Sequence, residues 1–551
     1  MLLDFTLSVL PIISILIFVA ILGIKPKYAL LISNIYTVFI VYKHWHLSML
    51  TISAVSFLGF LNMINIMLIV FGALLVLNLL KEVGAMNVMI SAFYHISADR
   101  RIQTIVIALF FSAFLDGAAS FGTSAALAAF MLVILGFPPI LAALVSLLYN
   151  GGQVSFGAVG LPSTTILQLT KSQVAALGLN SQQYEQTFNL YTPLFLSFVL
   201  LIISIIAMFI VTRYSANPDN KNKEFFEILP FTIFSTLIVA VIYVITSVYV
   251  SIELPSLIAG LIGTPIIIAI VKSGFLIPEN TFSFPNKAKW SDSWKASAKP
   301  HLDHNTVMKS NKVSAFKAWL PYTIIAILLL ITRIDFFGLK TLLNIPKISY
   351  LNIFGVPNIN FSWNYAYNPG LIPFIVIAIF ISLYFKLNMK KTLSVWNFTL
   401  NQIAETTITV TLAMVLMSIL MATNNNSVGL TGMLPMIAKG LVDSTGNFYI
   451  FISPLIGMLG SFISGSNTLS NTLFVNVQMS ASYLLHINPA IMASLQNVAG
   501  AIGIIFTLKS VVIVSATISL KNKEVYLVKV GLLAAIICSV LLSLLVWFIV
   551  F

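Results

Sequence analysis

Residues 114–162 read FLDGAASFGTSAALAAFMLVILGFPPILAALVSLLYNGGQVSFGAVGLP. The run is apolar enough for a lipid environment, yet Gly, Ser, Thr and Asn interrupt it near residues 116–124 and again near 150–157. Irregular backbone at membrane depth is tolerated only when it is buried in protein or lines a watery cavity, because lipid offers no partner to a free N–H or C=O. The stretch is therefore read as broken helices that build a site, and not as plain spans.

A second stretch, 462–510, has the same character. It contains FISGSNTLSNTLF and then NPAIMASLQNVAGAIG. Both stretches open on F-x-x-G (Phe114/Gly117 and Phe462/Gly465), both carry a proline (Pro139 and Pro489), and both have a polar break at an asparagine (Asn150 and Asn497). Gly117 to Asn150 is 33 positions and Gly465 to Asn497 is 32. This predicts an internal repeat of inverted topology, a common plan among secondary transporters. The competing reading is that the small residues only allow close helix packing.

The rest of the chain agrees with a bilayer as solvent. Of 551 residues 59% are apolar and 8% are charged, against about 45–50% and 25% in an ordinary soluble domain. Apolar stretches long enough to span recur near 5–24, 28–42, 62–80, 191–212, 229–250, 253–271, 318–333, 370–385 and 529–551. The first of these follows Asp4 and not a basic n-region, so it reads as a span and not as a signal peptide. The fold expected is an all-α polytopic bundle of about 12–14 transmembrane segments with two inverted repeats and broken or re-entrant helices. Its parts would be an N-terminal half, 1–272, a basic cytoplasmic loop, 273–317, and a C-terminal half, 318–551. The net charge of +13 marks cytoplasmic loops and anionic lipid, not nucleic acid. Clusters at Lys25/Lys27, Lys81/Arg100/Arg101, Arg213/Lys221/Lys223, 272–317, Lys386/Lys390/Lys391 and Lys521/Lys523/Lys529 fall on one side if each span crosses once, which puts both termini outside.

Half-helix N-termini at the breaks would offer free N–H groups and partial positive charge to a carboxylate. Gly117, Ser120 and Thr123, with Ser124 beside them, are the candidates in the first stretch, together with Asn150. Gly465, Ser466, Asn467, Thr468, Ser470, Asn471 and Asn497 are those in the second. Asp116 is the one carboxylate well inside a long apolar run, and desolvation penalises its charged form, as a proton-coupling group requires. A structural cap of a broken helix is its alternative role. Lys509 is isolated within 502–520 and either pairs with Asp116, meets the substrate carboxylate, or snorkels to an interface. Glu405 is a weaker, interfacial candidate. Asn424, Asn425 and Asn426 form either a third break or a simple loop. The six histidines show no paired spacing on a helix face, and Cys538 is the only cysteine, so neither a metal nor a cofactor is expected. No nucleophile–base pair suggests an intramembrane enzyme, and a channel is the rival among membrane functions.

The motifs also resemble a family. Residues 114–123, FLDGAASFGT, look like the FLEGAAGFGTP signature of lactate permeases. LGFPP at 135–139, SFGAVGLP at 155–162 and LGSFISGSNTLSN at 459–471 resemble that family's LGFPP, AFGALGIP and LGVFLTGSDTSSN. The resemblance implies proton-driven uptake of lactate, and often glycolate, through an ion-transporter-type fold. The expected partners are a small carboxylate, protons and the lipid bilayer, with a homodimer left open. Asp116 stands where the family usually has Glu, Ser120 where it has Gly, Asn467 where it has Asp, and Lys509 where it has Gln after a proline that is Leu508 here.

Overall fold

The computed structural model describes residues 2–92, 96–118, 120, 122–216, 218–291, 294, 314–333, 338–368, 371–520 and 523–551. Among them, eight helices are long and apolar enough to cross a membrane, and ten spans result if each of two bent pairs counts as one. Four shorter apolar helices accompany them and account for the larger number read from hydropathy. The helices begin where local chemistry allows. Ser48, Asn180 and Asn388 cap Met49–Glu82, Ser181–Thr212 and Met389–Ala422 with side-chain oxygens. Pro26, Pro139, Pro255 and Pro489 occupy first-turn positions, where their missing N–H is not needed.

Two sets of helices follow one another in the same order. In the N-terminal set a span over Arg100–Ala118 breaks into Thr123–Ile134, turns into Pro139–Gly151, and breaks again into Gly157–Ala176. In the C-terminal set Tyr449–Ser464 breaks into Asn467–Leu484, turns into Pro489–Ile504, and breaks into Leu508–Thr517. The second breaks bend by 56° and 41°. The sets exchange partners reciprocally: Asn467–Leu484 packs on Gly157–Ala176, and Thr123–Ile134 packs on Leu508–Thr517. A pair of 34-residue helices, Met49–Glu82 and Met389–Ala422, runs side by side as a spine. Gly59 lets them touch, since a Cβ there would stand 2.8 Å from the Met414 oxygen and the Val415 backbone. Asn78 Nδ2 donates across the same interface to Thr399 Oγ1 at 3.0 Å and Gln402 Oε1 at 2.9 Å.

The basic segments gather. Arg101 is fully buried, its guanidinium forked onto Asp99 at 2.7 Å and donating to the carbonyls of Glu224 and Asn280 at 2.8 and 2.7 Å. Asp99 Oδ2 in turn accepts from Phe282 N at 3.0 Å. This ties the segments that follow Glu82, Thr212 and Ser273 into one end of the bundle, and Lys391 meets Glu82 there at 3.3 Å. At the other end Asn368 and Trp363 donate to Asn65 Oδ1 at 2.6 and 2.7 Å. A small antiparallel hairpin stands there, with Ile348 opposite Trp363. Positions 292–293 and 295–313 of the basic loop, with His301 and His304, lie outside the described residues, as does His95. Asn424, Asn425 and Asn426 form a short turn between Met389–Ala422 and Met433–Thr445, with Asn424 and Asn425 exposed; they are a loop, not a third break. Cys538 is buried in Glu524–Val550.

Removing one member of a buried ion pair strands the other, at about 3–5 kcal/mol. Arg101→Ala is therefore expected to lower the Tm of the purified protein markedly, whereas Lys391→Ala, in an exposed pair, should leave it almost unchanged. Equal melting of the two variants would contradict the latch.

Candidate functional site

The span that leads to Asp116 is not regular. Between Ile105 and Phe111 it widens into a π turn, which shifts carbonyls out of register. Gln153 answers by donating Nε2 to the Leu109 carbonyl at 2.7 Å. The helix then ends at Ala118, and Ser120 sits at φ 47° before Gly122 at φ 79° starts Thr123–Ile134. The second break of the same set is tighter. Ala158, Val159 and Gly160 are consecutive left-handed residues, a conformation that costs about 1–2 kcal/mol for each residue bearing a Cβ. Gly160 has no alternative, since a Cβ there would stand 2.6 Å from the Ile252 carbonyl. Such strain persists only where the surroundings dictate it.

Both breaks of each set meet around one cavity. Its wall comprises Ser120, Gly122, Asn150, Val154, Gly157, Ala158, Leu161 and Pro162 from the first set, and Gly465, Ser466, Asn467, Thr468, Ile504, Lys509 and Ser510 from the second. The cavity measures about 30 Å³, room for roughly two or three waters. Three helices begin on it: Thr123–Ile134 at Gly122, Asn467–Leu484 at Ser466, and Leu508–Thr517 at Thr507. Each brings the partial positive charge of its first turn. Ser466 accepts from Leu469 N and Thr507 from Ser510 N, which fixes where the helices start. Lys509 is exposed in that first turn, and its stem lies against Gly465, where a Cβ would be 2.8 Å from its Cδ.

Behind the wall a buried network joins the halves. Asn497 Oδ1 accepts from Asn467 Nδ2 at 3.2 Å and Asn471 Nδ2 at 2.9 Å, while Asn497 Nδ2 donates to Ser163 Oγ at 2.8 Å. Asn471 also donates to the Pro162 carbonyl at 3.2 Å. Ser155 Oγ donates to the Asn497 carbonyl at 3.3 Å. Gln496, Gln478 and Tyr449 extend the chain of bonds away from the cavity. Asp116 lies fully buried at the edge of this system. Ser124 Oγ is 2.9 Å from Asp116 Oδ1 and also 2.9 Å from Asn150 Oδ1. Asp116 Oδ2 faces Gly157 and the Ser120 hydroxyl, with a Cβ at Gly157 meeting it at 2.7 Å.

Of the residues singled out by sequence, the structure brings Ser120, Asn150, Gly465, Ser466, Asn467, Thr468 and Lys509 to the wall. Asn471 and Asn497 hold the network behind it. Ser470 turns away to donate to the Gly457 carbonyl at 2.7 Å. Gly117 is a packing position, where a Cβ would run into the backbone of Ser256 and Leu257. Thr123 begins its helix, and its side chain lies outside the described residues, as does that of Glu405. Lys509 stands at the cavity wall, while Asp116 has the hydroxyls of Ser124 and Ser120 beside it. The sequence reading did not single out Gly157, Ala158, Leu161, Ser163 or Gln496 as site residues; the SFGAVGLP motif was the signal for the first three. Among the described residues no group of three His, Cys, Asp or Glu side chains could hold a metal.

A family model described as L-lactate permease matches residues 4–551. A Haemophilus influenzae relative aligns at 27% identity over 98% of both chains. The L-lactate permease of Streptococcus iniae is 28% identical over 78% of this chain and 80% of its own. That of Bacillus subtilis is 26% identical over 80% and 77%. Among solved structures, the Alcanivorax borkumensis YdaH transporter covers 87% of this chain and 85% of its own at 14% identity and a TM-score of 0.44.

Asn497 satisfies groups from both sets at once, and each buried group left without its partner costs about 1–3 kcal/mol. Asn497→Leu should therefore lower Tm more than Ser470→Ala, which removes one bond to a helical carbonyl and one from Gln496 within the same set. A melting curve that ranks them the other way would remove the bridging role assigned to Asn497.

Proposed function

The chain belongs to the L-lactate permease family, and from that premise we propose a secondary active transporter of small hydroxy-monocarboxylates in the cytoplasmic membrane. L-lactate is its first substrate, D-lactate and glycolate are its close analogues, and proton symport is its driving mechanism. The observation that carries this reading is the convergence of three helix N-termini and Lys509 on one polar cavity. Such a site is rich in donors and positive ends and suits an anion. The relatives named as L-lactate permeases supply the substrate class.

The chemistry of transport here is binding and release, with no covalent step. The carboxylate takes N–H groups of the first turns of Asn467–Leu484 and Leu508–Thr517, with Lys509 in the latter turn; the amide of Asn150 and the hydroxyls of Ser120, Ser466 and Thr468 take the remaining oxygens. Asp116 carries the co-transported proton. An anion entering beside a charged Asp116 would put two negative charges in one buried site, and protonation of Asp116 removes that repulsion. A second reading, a more highly charged organic anion, is favoured by Lys509 on the wall and by the neutral Asn467.

Uptake of radiolabelled lactate, glycolate, pyruvate and malate into proteoliposomes, with and without an imposed pH gradient, tests the proposal. Lactate should accumulate only with an inward proton gradient. Preference for malate would select the second reading, and accumulation indifferent to the gradient would remove proton coupling. Asp116→Asn should retain counterflow of lactate and lose gradient-driven accumulation; normal accumulation by that variant would exclude Asp116 as the coupling group. Asn467→Leu, which removes the amide that ties the second break to Asn497 beside the cavity, should weaken lactate binding by about tenfold, and unchanged affinity would reduce the second break to packing.

A further inference from the structure

We infer that Ser124 is a positioning residue that transmits the protonation state of Asp116 to the amide of Asn150, so that the cavity offers a donor to an anion only when the proton is aboard. The inference rests on proton symport through Asp116 and deepens it. It begins with a count of hydrogens. Ser124 Oγ lies 2.9 Å from two acceptors, Asp116 Oδ1 and Asn150 Oδ1, but a serine hydroxyl has one hydrogen to give. All three side chains are buried, and Ser124 and Asp116, completely so, are not part of the cavity wall, so water does not readily substitute between them.

Two arrangements satisfy the trio. With Asp116 protonated, its O–H donates to Ser124 Oγ, and Ser124 donates to Asn150 Oδ1. The Asn150 nitrogen then points away from Ser124, and Asn150 Nδ2 indeed carries no partner while the residue lines the cavity. A substrate carboxylate can complete it. With Asp116 ionised, Ser124 gives its only hydrogen to the carboxylate, and Asn150 must turn its nitrogen to the Ser124 oxygen. Its Oδ1 then faces the opposite way, an acceptor where an anion needs a donor. Proton and anion therefore bind with positive linkage, and neither is favoured alone.

The Ser120 hydroxyl faces the other carboxylate oxygen, Oδ2, and leaves Oδ1 to Ser124; among the described residues no charged group competes for Asp116. Thr123–Ile134 and Val154–Phe156, which pack on its helix, carry no charged or titratable group. Pro139–Gly151 brings Tyr149, and Pro255–Ser273 has Lys272 only in its last turn. Gly157–Ala176 has Lys171 toward its far end, and Arg100 and Arg101 stand at the start of the span that ends in Asp116. Tyr243 lies within electrostatic reach, with its hydroxyl 3.1 Å from Ser256 Oγ. Glu253 approaches Gly160 through its backbone, and Lys509 stands across the cavity.

The test is the pH dependence of L-lactate affinity, read by counterflow in proteoliposomes of the full-length protein at low and at high pH. The wild type should bind more tightly at low pH by roughly 5–150-fold, the usual span of coupling between sites. Ser124→Ala should cut that ratio severalfold, to the part that direct charge repulsion by Asp116 sustains, and Ser124→Thr, which keeps the hydroxyl, should restore it. Ser124→Cys, close in volume and a weak donor, repeats the test if the alanine variant does not assemble. A ratio in Ser124→Ala or Ser124→Cys equal to that of the wild type overturns the relay while leaving Asp116 in place. A wild-type ratio of one overturns proton linkage itself, and the relay with it.

Discussion

A helix interrupted inside a membrane exposes N–H and C=O groups that lipid cannot satisfy. This protein interrupts four helix runs, two in each set, and the architecture follows from the need to give those groups partners. They are found across the repeat boundary. The Pro162 carbonyl accepts from Asn471, the Asn497 carbonyl accepts from Ser155, and the Asn497 side chain donates to Ser163. Neither set could break alone at comparable cost, because each supplies side chains that complete the backbone of the other. The reciprocal packing of Asn467–Leu484 on Gly157–Ala176, and of Thr123–Ile134 on Leu508–Thr517, brings the breaks to one place.

Satisfying the breaks does not neutralise them. The helix starts at Gly122, Ser466 and Thr507 aim their positive ends at a shared space, and Lys509 adds a full charge at its wall. Against this stands one buried carboxylate, Asp116. The local balance therefore favours one bound anion when Asp116 is neutral and resists it when Asp116 is charged. This is the electrostatic condition that carrier coupling needs, and it arises from where helices start more than from the number of basic residues.

Much of this was legible in the chain. Apolar length fixed the spans, and the paired F-x-x-G, proline and asparagine positions marked the repeat and its breaks. Ser120, Asn150 and the 465–468 run were recognisable as polar residues where lipid would forbid them. Other features were not. Ala158 and Val159 have ordinary right-handed preferences, and their left-handed turn leads into Gly160, where Ile252 and Glu253 pass close. Gly117 resembled a site glycine, yet its missing side chain serves contact with Ser256 and Leu257. The bridging of Asn497 to Ser163, hundreds of positions away in sequence, depends on tertiary pairing that no local pattern encodes. Asn424, Asn425 and Asn426 have the composition of the genuine breaks but lie at a helix end, where the Asn426 and Thr423 side chains satisfy the backbone of the turn locally.

The size of the cavity sets the remaining requirement. At about 30 Å³ it holds a few waters, so a three-carbon acid enters only if the wall parts. The wall is drawn from both sets, which means that opening must loosen contacts between them. The spine of Met49–Glu82 and Met389–Ala422, with backbone contact at Gly59 and the Asn78 bonds, has no comparable polar gap. At Gly59 its contact is backbone against backbone, and the Asn78 bonds lie outside the cavity wall, whereas the repeats meet at the cavity through amide and hydroxyl side chains that can exchange partners. An arriving carboxylate is itself an acceptor for those donors and lowers the cost of separating them.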